Sequence, residues 1–227
     1  MKEFMMNHFP MLSRESVNLC EADYLKITGL ESKTLTEISG FACAKEILAH
    51  CGPLDNDHVV IYAGPGKKGA HGVSIGLYLA GYSKKVTIVQ PIQPEYELDT
   101  NNKNRAKAFY SNIEFTDKPT AGDIFIDALF GSGVNKKPDG VFEHFIKVLN
   151  EQSNTIISID TPSGIDANTS VSIRDFVKPD LTLAIGCLKP VHKHPRAEGI
   201  CGKIIWVDLG LPHKFIEKYA EIEKVAC

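Results

Sequence analysis

The sequence has little of what marks several large classes of protein. Its six cysteines are scattered over 227 residues without a C-x-x-C pair, and no apolar run approaches the length of a transmembrane helix. Lys and Arg number 25 against 28 Asp and Glu, so the net charge of −3 gives no electrostatic reason to expect a nucleic-acid-binding protein. Residues 1–11 resemble neither a signal peptide nor an arginine-rich transit peptide. These absences argue against a disulfide scaffold, a zinc module and a membrane span, and we expect a cytoplasmic protein with reduced thiols.

Apolar runs and helical patterns alternate along most of the chain. Helices are predicted near residues 16–27, 34–50, 73–81, 101–110, 141–150 and 212–224, and strands near 59–63, 85–90, 123–129, 155–160, 181–185 and 204–207. Several strands lack polar alternation, which is typical of a parallel sheet covered on both faces. The pattern predicts an α/β protein: a three-layer α/β/α Rossmann-like sandwich with a mostly parallel central sheet and N-terminal helices. The length predicts a single domain over residues 1–227, with 1–12 as a candidate disordered segment.

A glycine-rich segment, residues 64–72, follows the first predicted strand and precedes a helical pattern. Strand, glycine turn and helix in this order expose main-chain amides and a helix N-terminus, a layout that binds phosphate groups. The segment matches G-x-G-x-x-G, but the next strand ends in Gln90-Pro91, without the acidic residue that an NAD dehydrogenase uses for the ribose. We therefore expect a nucleotide-like ligand but not an ordinary dehydrogenase. The alternative is that the glycines serve only close packing.

Two aspartates, Asp127 and Asp160, each end an apolar strand and precede a loop rich in glycine and serine. A carboxylate in such a position is costly unless a partner, an ion or a ligand compensates it. Ligands of α/β sheets bind at the carboxyl ends of strands, so the loops at Gly64, Gly131 and Ser163 are predicted to form one polar site. The alternative is that each aspartate only caps the loop or helix that follows it.

A weaker candidate is the pair His192 and His194, whose spacing would suit two metal ligands on a strand. Because the pair lies between Pro190 and Pro195, we expect an exposed loop there instead. Cys187, near the end of a predicted strand, is expected to be a buried and unreactive thiol.

The chain resembles the NAD(P)HX epimerases, that is, the YjeF amino-terminal type domain, from its N-terminal helices to Pro212. The motifs that carry the resemblance best are Asp127-Ala128-Leu129-Phe130-Gly131 and Ser158-Ile159-Asp160-Thr161-Pro162-Ser163-Gly164. Residues 36–40, 178–183 and 207–212 also match the family. The resemblance implies a substrate, NADH or NADPH hydrated at the nicotinamide ring (NADHX or NADPHX). Family members interconvert its R and S forms, and a separate dehydratase repairs the S form.

The resemblance also implies a homodimer and a set of site residues. The family holds a potassium ion between an asparagine of the glycine loop and an Asp and a Ser that match Asp127 and Ser163. Its substrate-contacting aspartate matches Asp160, which we expect to be catalytic as a general acid or base. The residues matching its two substrate-binding loops are Lys67, Lys68, Gly69, Ala70, His71 and Gly131, Ser132, Gly133, Val134, Asn135, Lys136, Lys137.

The glycine loop departs from the family pattern. Lys67 and Lys68 stand in place of two asparagines, Ala70 in place of a glycine and His71 in place of an aspartate. A protonated lysine donates hydrogen bonds and cannot coordinate a cation. The resemblance implies potassium as a cofactor, and our hypothesis is that the Lys68 ammonium stands in its place. The alternative is that Lys68 points to solvent or to a phosphate, with the ion site empty or filled by water. The altered loop is also similar to the related domain of enhancer-of-decapping scaffold proteins. That similarity gives an alternative function, a catalytically silent nucleotide-binding or scaffold domain.

Overall fold

The computed structural model describes residues 9–94, 97–131, 140–170, 172 and 175–226. The helices are α1 (Arg14–Thr28), α2 (Ser32–Cys51), α3 (Lys67–Leu79), α4 (Glu97–Phe109), α5 (Gly140–Asn150), α6 (Ala197–Cys201) and α7 (His213–Ala226). The strands are β1 (Leu54–Ala63), β2 (Ser83–Val89), β3 (Ile113–Thr116), β4 (Ile124–Ala128), β5 (Thr155–Ile159), β6 (Leu181–Ile185) and β7 (Lys203–Val207). A 3₁₀ turn covers Pro190–Lys193. Over the residues described, no helix has the length and apolar character needed to cross a membrane.

The strands form one sheet in the order β3-β2-β1-β4-β5-β6-β7, and every neighbouring pair is parallel. Side chains of β1 alternate between two apolar clusters. Val59 and Ile61 pack in a cluster with α1, α2, α3 and α7, whereas Val60 and Tyr62 pack in a cluster with α5. Helices thus cover both faces of the sheet, and the predicted three-layer α/β/α sandwich is confirmed.

The first helix is capped at both ends by residue types suited to those positions. The Ser13 side chain accepts a hydrogen bond from the Ser16 amide at 3.2 Å, which satisfies one of the amides left unpaired at a helix start. Gly29 ends the helix in the left-handed conformation, with φ +70°, and its amide donates to the Leu25 carbonyl.

Several elements differ from the sequence-based prediction. β1 begins at Leu54 and α4 at Glu97, five and four residues before their predicted starts. Helix α3 begins at Lys67, six residues before the predicted start at Val73. The short edge strand β3 and the five-residue helix α6 were not predicted. Their lengths explain this, because four or five residues are too few to reveal a period.

Part of the segment predicted as a candidate disordered region is folded. The Phe9 ring lies 4.4 Å from the Trp206 ring, centroid to centroid. The Leu12 amide donates to the Leu188 carbonyl at 2.9 Å, and the Leu12 side chain is fully buried. Phe9 and Leu12 therefore belong to the domain core, while residues 1–8 lie outside the described residues.

Candidate functional site

The site lies where the strand order of the sheet changes direction. From β1 the chain continues to β2 on one side, whereas β4 and β5 lie on the other, so the loops after β1 and β4 diverge. Such a switch point opens a crevice at the carboxyl ends of the strands. A cavity of about 410 Å³ occupies it, a size typical of small-molecule sites. The cavity lining includes Arg14, Glu21, Gly66, Lys67, Lys68, His71, Phe130, Gly131, Phe142, Asp160 and Lys189.

The N-terminus of α3 forms one wall of this cavity. Gly66 precedes the helix and no side chain caps it, so the first amides of α3 and the positive end of its dipole lie at the crevice. Two glycines are required by close packing, since a Cβ on Gly64 would lie 1.5 Å from the Leu129 carbonyl oxygen and one on Gly69 would lie 1.8 Å from the Gly64 oxygen. A Cβ on Gly66 would meet no atom within 4 Å. The arrangement can bind an anionic group at Gly66.

Asp160 is the residue directly after β5, and it lines the cavity. Its φ of +65° is in the left-handed region, which is unusual for a residue with a side chain and is held here by surrounding contacts. The Asp160 amide donates to the Leu183 carbonyl at 2.8 Å, and the Asp160 carbonyl oxygen accepts from His192 Nε2 at 2.7 Å. The carboxylate oxygen Oδ1 accepts from Lys189 Nζ at 2.6 Å.

The Asp160–Lys189 pair is ionised at neutral pH. Burial alone would raise the pKa of the Asp160 carboxyl, but the charge and hydrogen bond of Lys189 and the nearby His192 outweigh it, so this pKa is lowered. Burial alone would lower the pKa of the Lys189 ammonium, but the Asp160 charge outweighs it and this pKa is raised. The pocket therefore presents a carboxylate and a proton donor side by side.

Lys189 and His192 were missed by the sequence analysis, which predicted an exposed loop. The 3₁₀ turn buries His192, and its Nδ1 accepts from the Lys189 amide at 3.0 Å. Burial and the Lys189 charge lower the His192 pKa to about 4, so the imidazole is neutral and its Nε2–H donates to Asp160. The signal that was available is the position of Lys189, a charged residue four positions after an apolar strand end.

Lys68 and Asp127 form a buried ion pair beneath the cavity. Lys68 Nζ lies 3.1 Å from Asp127 Oδ2, 2.8 Å from the Thr161 carbonyl oxygen and 2.9 Å from Ser163 Oγ. Asp127 also accepts from Ser158 Oγ and from the Ser163 amide, at 2.8 and 2.9 Å. Burial lowers the pKa of the Lys68 ammonium, and the Asp127 charge partly offsets this. The two predicted metal ligands, Asp127 and Ser163, are thus brought together around a lysine.

His71 is a neutral imidazole at the edge of the cavity. Burial, with the nearby Lys67 charge, lowers its pKa to about 3. Ser39 Oγ donates to the Thr36 carbonyl at 2.9 Å, so its close contact with His71 Nδ1 is a hydrogen bond that the serine accepts. This assigns the proton to Nδ1 and leaves Nε2 as an acceptor. Lys67, which was expected to contact substrate, forms an ion pair with Glu21 at the cavity wall.

The other residues expected to bind substrate divide into three groups. Gly131 lines the cavity. Gly69 and Ala70 are buried within α3, so they support the wall without forming its surface. Ser132, Gly133, Val134, Asn135, Lys136 and Lys137 lie outside the described residues.

The residues at Asp127 do not fit the potassium ion that the resemblance implies. The Asp127, Thr161 and Ser163 oxygens are ligands that a hard cation would take, but each is within hydrogen-bond distance of the Lys68 ammonium. A potassium ion between them would contact another cation. Elsewhere in the described part of the chain, no group of three or more His, Cys, Asp or Glu side chains could hold a metal.

Comparison with known proteins finds a family model and several relatives that match this chain. The model of the "YjeF-related protein N-terminus" family matches residues 32–191. A protein of Elusimicrobium minutum named NAD(P)H-hydrate epimerase is 31% identical over 87% of this chain and 94% of its own length. One of the same name from Nitrosopumilus maritimus is 24% identical over 81% of this chain and 88% of its own.

A solved structure supports the fold. The crystal structure of the yeast protein ynu0 superposes with a TM-score of 0.80 at 19% identity, covering 92% of this chain and 93% of the yeast chain. At that identity the likeness concerns the fold alone. The family model spans the glycine loop and both aspartate motifs, and from it we conclude that this chain belongs to the YjeF-related N-terminal family.

Proposed function

We propose that this protein is an NAD(P)H-hydrate epimerase, an isomerase that interconverts the R and S forms of hydrated NADH or NADPH. The observation that carries the proposal is the Asp160–Lys189 ion pair, which faces one cavity together with the uncapped N-terminus of α3. An anion site and a proton-transfer pair within one pocket suit a substrate that has a pyrophosphate and a reactive ring. The names of the Elusimicrobium and Nitrosopumilus relatives agree with it.

Inversion of the hydrated carbon requires a proton donor. The added hydroxyl stands on a ring carbon bonded to the ring nitrogen. When this hydroxyl takes a proton and leaves as water, the nitrogen lone pair forms a C=N bond and the ring becomes cationic. Water then adds to the same carbon from the opposite face and returns the proton, so the atoms and charges balance.

The two paired residues divide this work. Lys189 is protonated at neutral pH and donates the proton, then recovers it when water adds. Asp160 is held ionised, so its role is that of a carboxylate: it stabilises the cationic ring and orients the ammonium. The general acid expected at Asp160 is thereby reassigned to Lys189.

The aromatic rings of Phe130 and Phe142 line the same cavity, with centroids 5.2 Å apart. They give the planar groups of a dinucleotide an apolar surface. Gly66 and the first amides of α3 receive the phosphates.

The test is to incubate purified protein with separated R-NADHX and to follow the S form by chromatography. Asp160→Asn should lower the rate by about two to three powers of ten, because it removes the charge that stabilises the cationic ring but keeps the shape of the side chain. The matched control is Asp123→Asn, an exposed aspartate at the opposite, amino end of the sheet, which should keep the wild-type rate. A wild type that binds NADP but leaves both hydrates unchanged would instead favour the catalytically silent scaffold alternative.

The proposal includes a homodimer in the cytoplasm. A groove between α2 and the end of β7 carries two exposed apolar side chains, Ile38 and Phe41, beside the partly buried Ala42. An uncovered apolar surface of this kind suits a second copy of the chain. The described cysteines, Cys20, Cys43, Cys51, Cys187 and Cys201, are free thiols, as expected in a reducing compartment. Fractionation of cells that express the protein at its natural level tests the location.

A further inference from the structure

The Lys68 side chain is unusual for a lysine because it is turned away from solvent at the start of a helix. Only 6% of the residue is exposed. Its nitrogen faces three oxygens that come from two strand ends: Asp127 in β4, and the Thr161 carbonyl and Ser163 hydroxyl after β5. Among the described residues, the cation that pairs with Asp127 is Lys68 of α3.

The hydrogen-bond acceptors around Lys68 Nζ require that this amino group is protonated. The Asp127 carboxylate and the Thr161 carbonyl can only accept hydrogen bonds. The Ser163 hydroxyl has one proton, which is directed at Asp127 Oδ1 at 2.5 Å or at the Phe130 carbonyl at 3.0 Å, so towards Lys68 its oxygen accepts. Three acceptors therefore need three donors, and only a protonated lysine has three.

The cation is needed because Asp127 has no contact with water. Its exposure is 0%, and its other partners, among them the Ser158 hydroxyl and the Leu129 and Ser163 amides, are neutral donors. A buried carboxylate without a counter-charge is strongly unfavourable. Lys68 supplies that charge from within the chain.

We propose that the Lys68 ammonium is a built-in monovalent cation which takes the place of an exchangeable ion, so that neither the fold of this pocket nor its activity depends on potassium. The ammonium ties the end of β4 to the loop after β5, and that loop begins at Asp160. Ser163 Oγ also accepts from the Phe130 amide at 3.2 Å, so the same cluster positions an aromatic wall of the cavity. The consequence for catalysis rests on the proposed function, but the consequence for cation dependence does not.

The decisive experiment measures thermal unfolding in potassium, sodium and choline chloride at equal ionic strength. The wild type should melt at the same temperature in all three salts. Lys68→Asn restores an oxygen ligand and removes the ammonium, so it should melt lowest in choline and rise by several degrees in potassium, with saturation. Lys68→Met offers no ligand and should be destabilised equally in every salt. Lys85→Asn, which breaks only an exposed pair with Glu114, should behave like the wild type.

A crystallographic experiment tests the same proposal without relying on changes in stability. Crystals soaked in rubidium chloride should give an anomalous peak beside Asp127 and Ser163 in Lys68→Asn and none there in the wild type. The proposal is overturned if potassium stabilises the wild type more than sodium does, or if the wild type binds rubidium at this cluster. It is also overturned if Lys68→Asn folds and its melting temperature is the same in all three salts. If Lys68→Asn does not fold, the wild-type salt series and soak still decide the matter. A protein that meets these expectations but leaves R-NADHX unchanged would contradict the proposed function alone.

Discussion

Replacement of Lys189 by methionine should destabilise the protein, because it leaves the Asp160 carboxylate without its ion-pair partner. Methionine retains most of the apolar stem, so the change removes chiefly the ammonium whose Nζ lies 2.6 Å from Asp160 Oδ1. Breaking a fully buried pair costs about 3–5 kcal/mol, and a charge-assisted hydrogen bond is worth about 1.5–3 kcal/mol. The Lys189 side chain is 5% exposed but that of Asp160 is 21% exposed, so water relieves part of the penalty.

We therefore expect Lys189→Met to lower the free energy of unfolding by about 2–3 kcal/mol at pH 7. In a protein of this size each kcal/mol moves the melting temperature by about 2–4 °C, which gives a decrease of about 4–12 °C. Chemical denaturation with urea, followed by circular dichroism, measures the free energy directly.

The pH dependence distinguishes lost pairing from lost packing. In the wild type the pKa of Asp160 is lowered, so the pair's contribution is present above the unfolded-state pKa of about 3.9 and is lost as the pH falls through the folded value. Without Lys189, burial acts on Asp160 with less opposition, and the unpaired carboxylate costs most at neutral pH. The difference between wild type and variant should therefore shrink as the pH falls from 7 to about 4.

A double-mutant cycle completes the test. Asp160→Asn in the Lys189→Met background removes the unpaired charge, so the double variant should be more stable than the sum of the single changes predicts, by about 1–2 kcal/mol. A destabilisation that is constant with pH, together with additive single changes, would refute the pairing and leave Lys189 as a packing residue.

Three further predictions concern other parts of the molecule. Gly66→Val should weaken binding of NADP and ADP-ribose in calorimetric titrations, because a Cβ there meets no atom within 4 Å and faces the anion site. Its effect on the melting temperature should be small beside that of Gly69→Val, whose Cβ would lie 1.8 Å from a backbone oxygen and which should fail to fold stably. The His71 imidazole should keep the chemical shifts of its neutral form in nitrogen-15 NMR between about pH 5 and 8, since burial lowers its pKa to about 3; a titration near pH 6.5 would contradict this. Phe41→Glu should convert a dimer into a monomer in sedimentation analysis, and an unchanged sedimentation coefficient would move the interface elsewhere.

The sequence predicted the sheet and both aspartates because these depend on local patterns. β6 has the predicted bounds, and Asp127 and Asp160 lie at strand ends as expected. The start of α3 was misplaced because four glycines between residues 64 and 72 favour a loop by propensity. Tertiary packing overrides that preference: a Cβ on Gly72 would lie 2.5 Å from the Ala128 Cβ, so the glycine lets the helix approach the sheet.

Lys189 could not be derived in the same way. It lies 29 residues from Asp160 in the chain, and proline-flanked residues after it favoured an exposed loop. The contact arises because Leu188 docks beside the Met11–Leu12 segment and the 3₁₀ turn carries His192 back to the Asp160 carbonyl. The position of Lys68 could be predicted better. Lys68 stands in place of an asparagine that the family uses to hold potassium, and this substitution already indicated a cation near the carboxylate of Asp127.

The charges around the cavity suggest how it selects a ligand. Among the described residues, four lysine and arginine side chains line it, and each is paired with a carboxylate: Arg14 with Glu15, Lys67 with Glu21, Lys68 with Asp127 and Lys189 with Asp160. From these four side chains a phosphate would therefore meet little uncompensated charge, and the main-chain amides at the start of α3 would bind it. Amide dipoles fixed by a helix are short-ranged and directional, so they discriminate by the position of the phosphate more than by its total charge. Affinity for NADP should accordingly fall only weakly as salt is raised, and a steep salt dependence would mean that charged side chains, and not the main-chain amides, supply most of the phosphate binding.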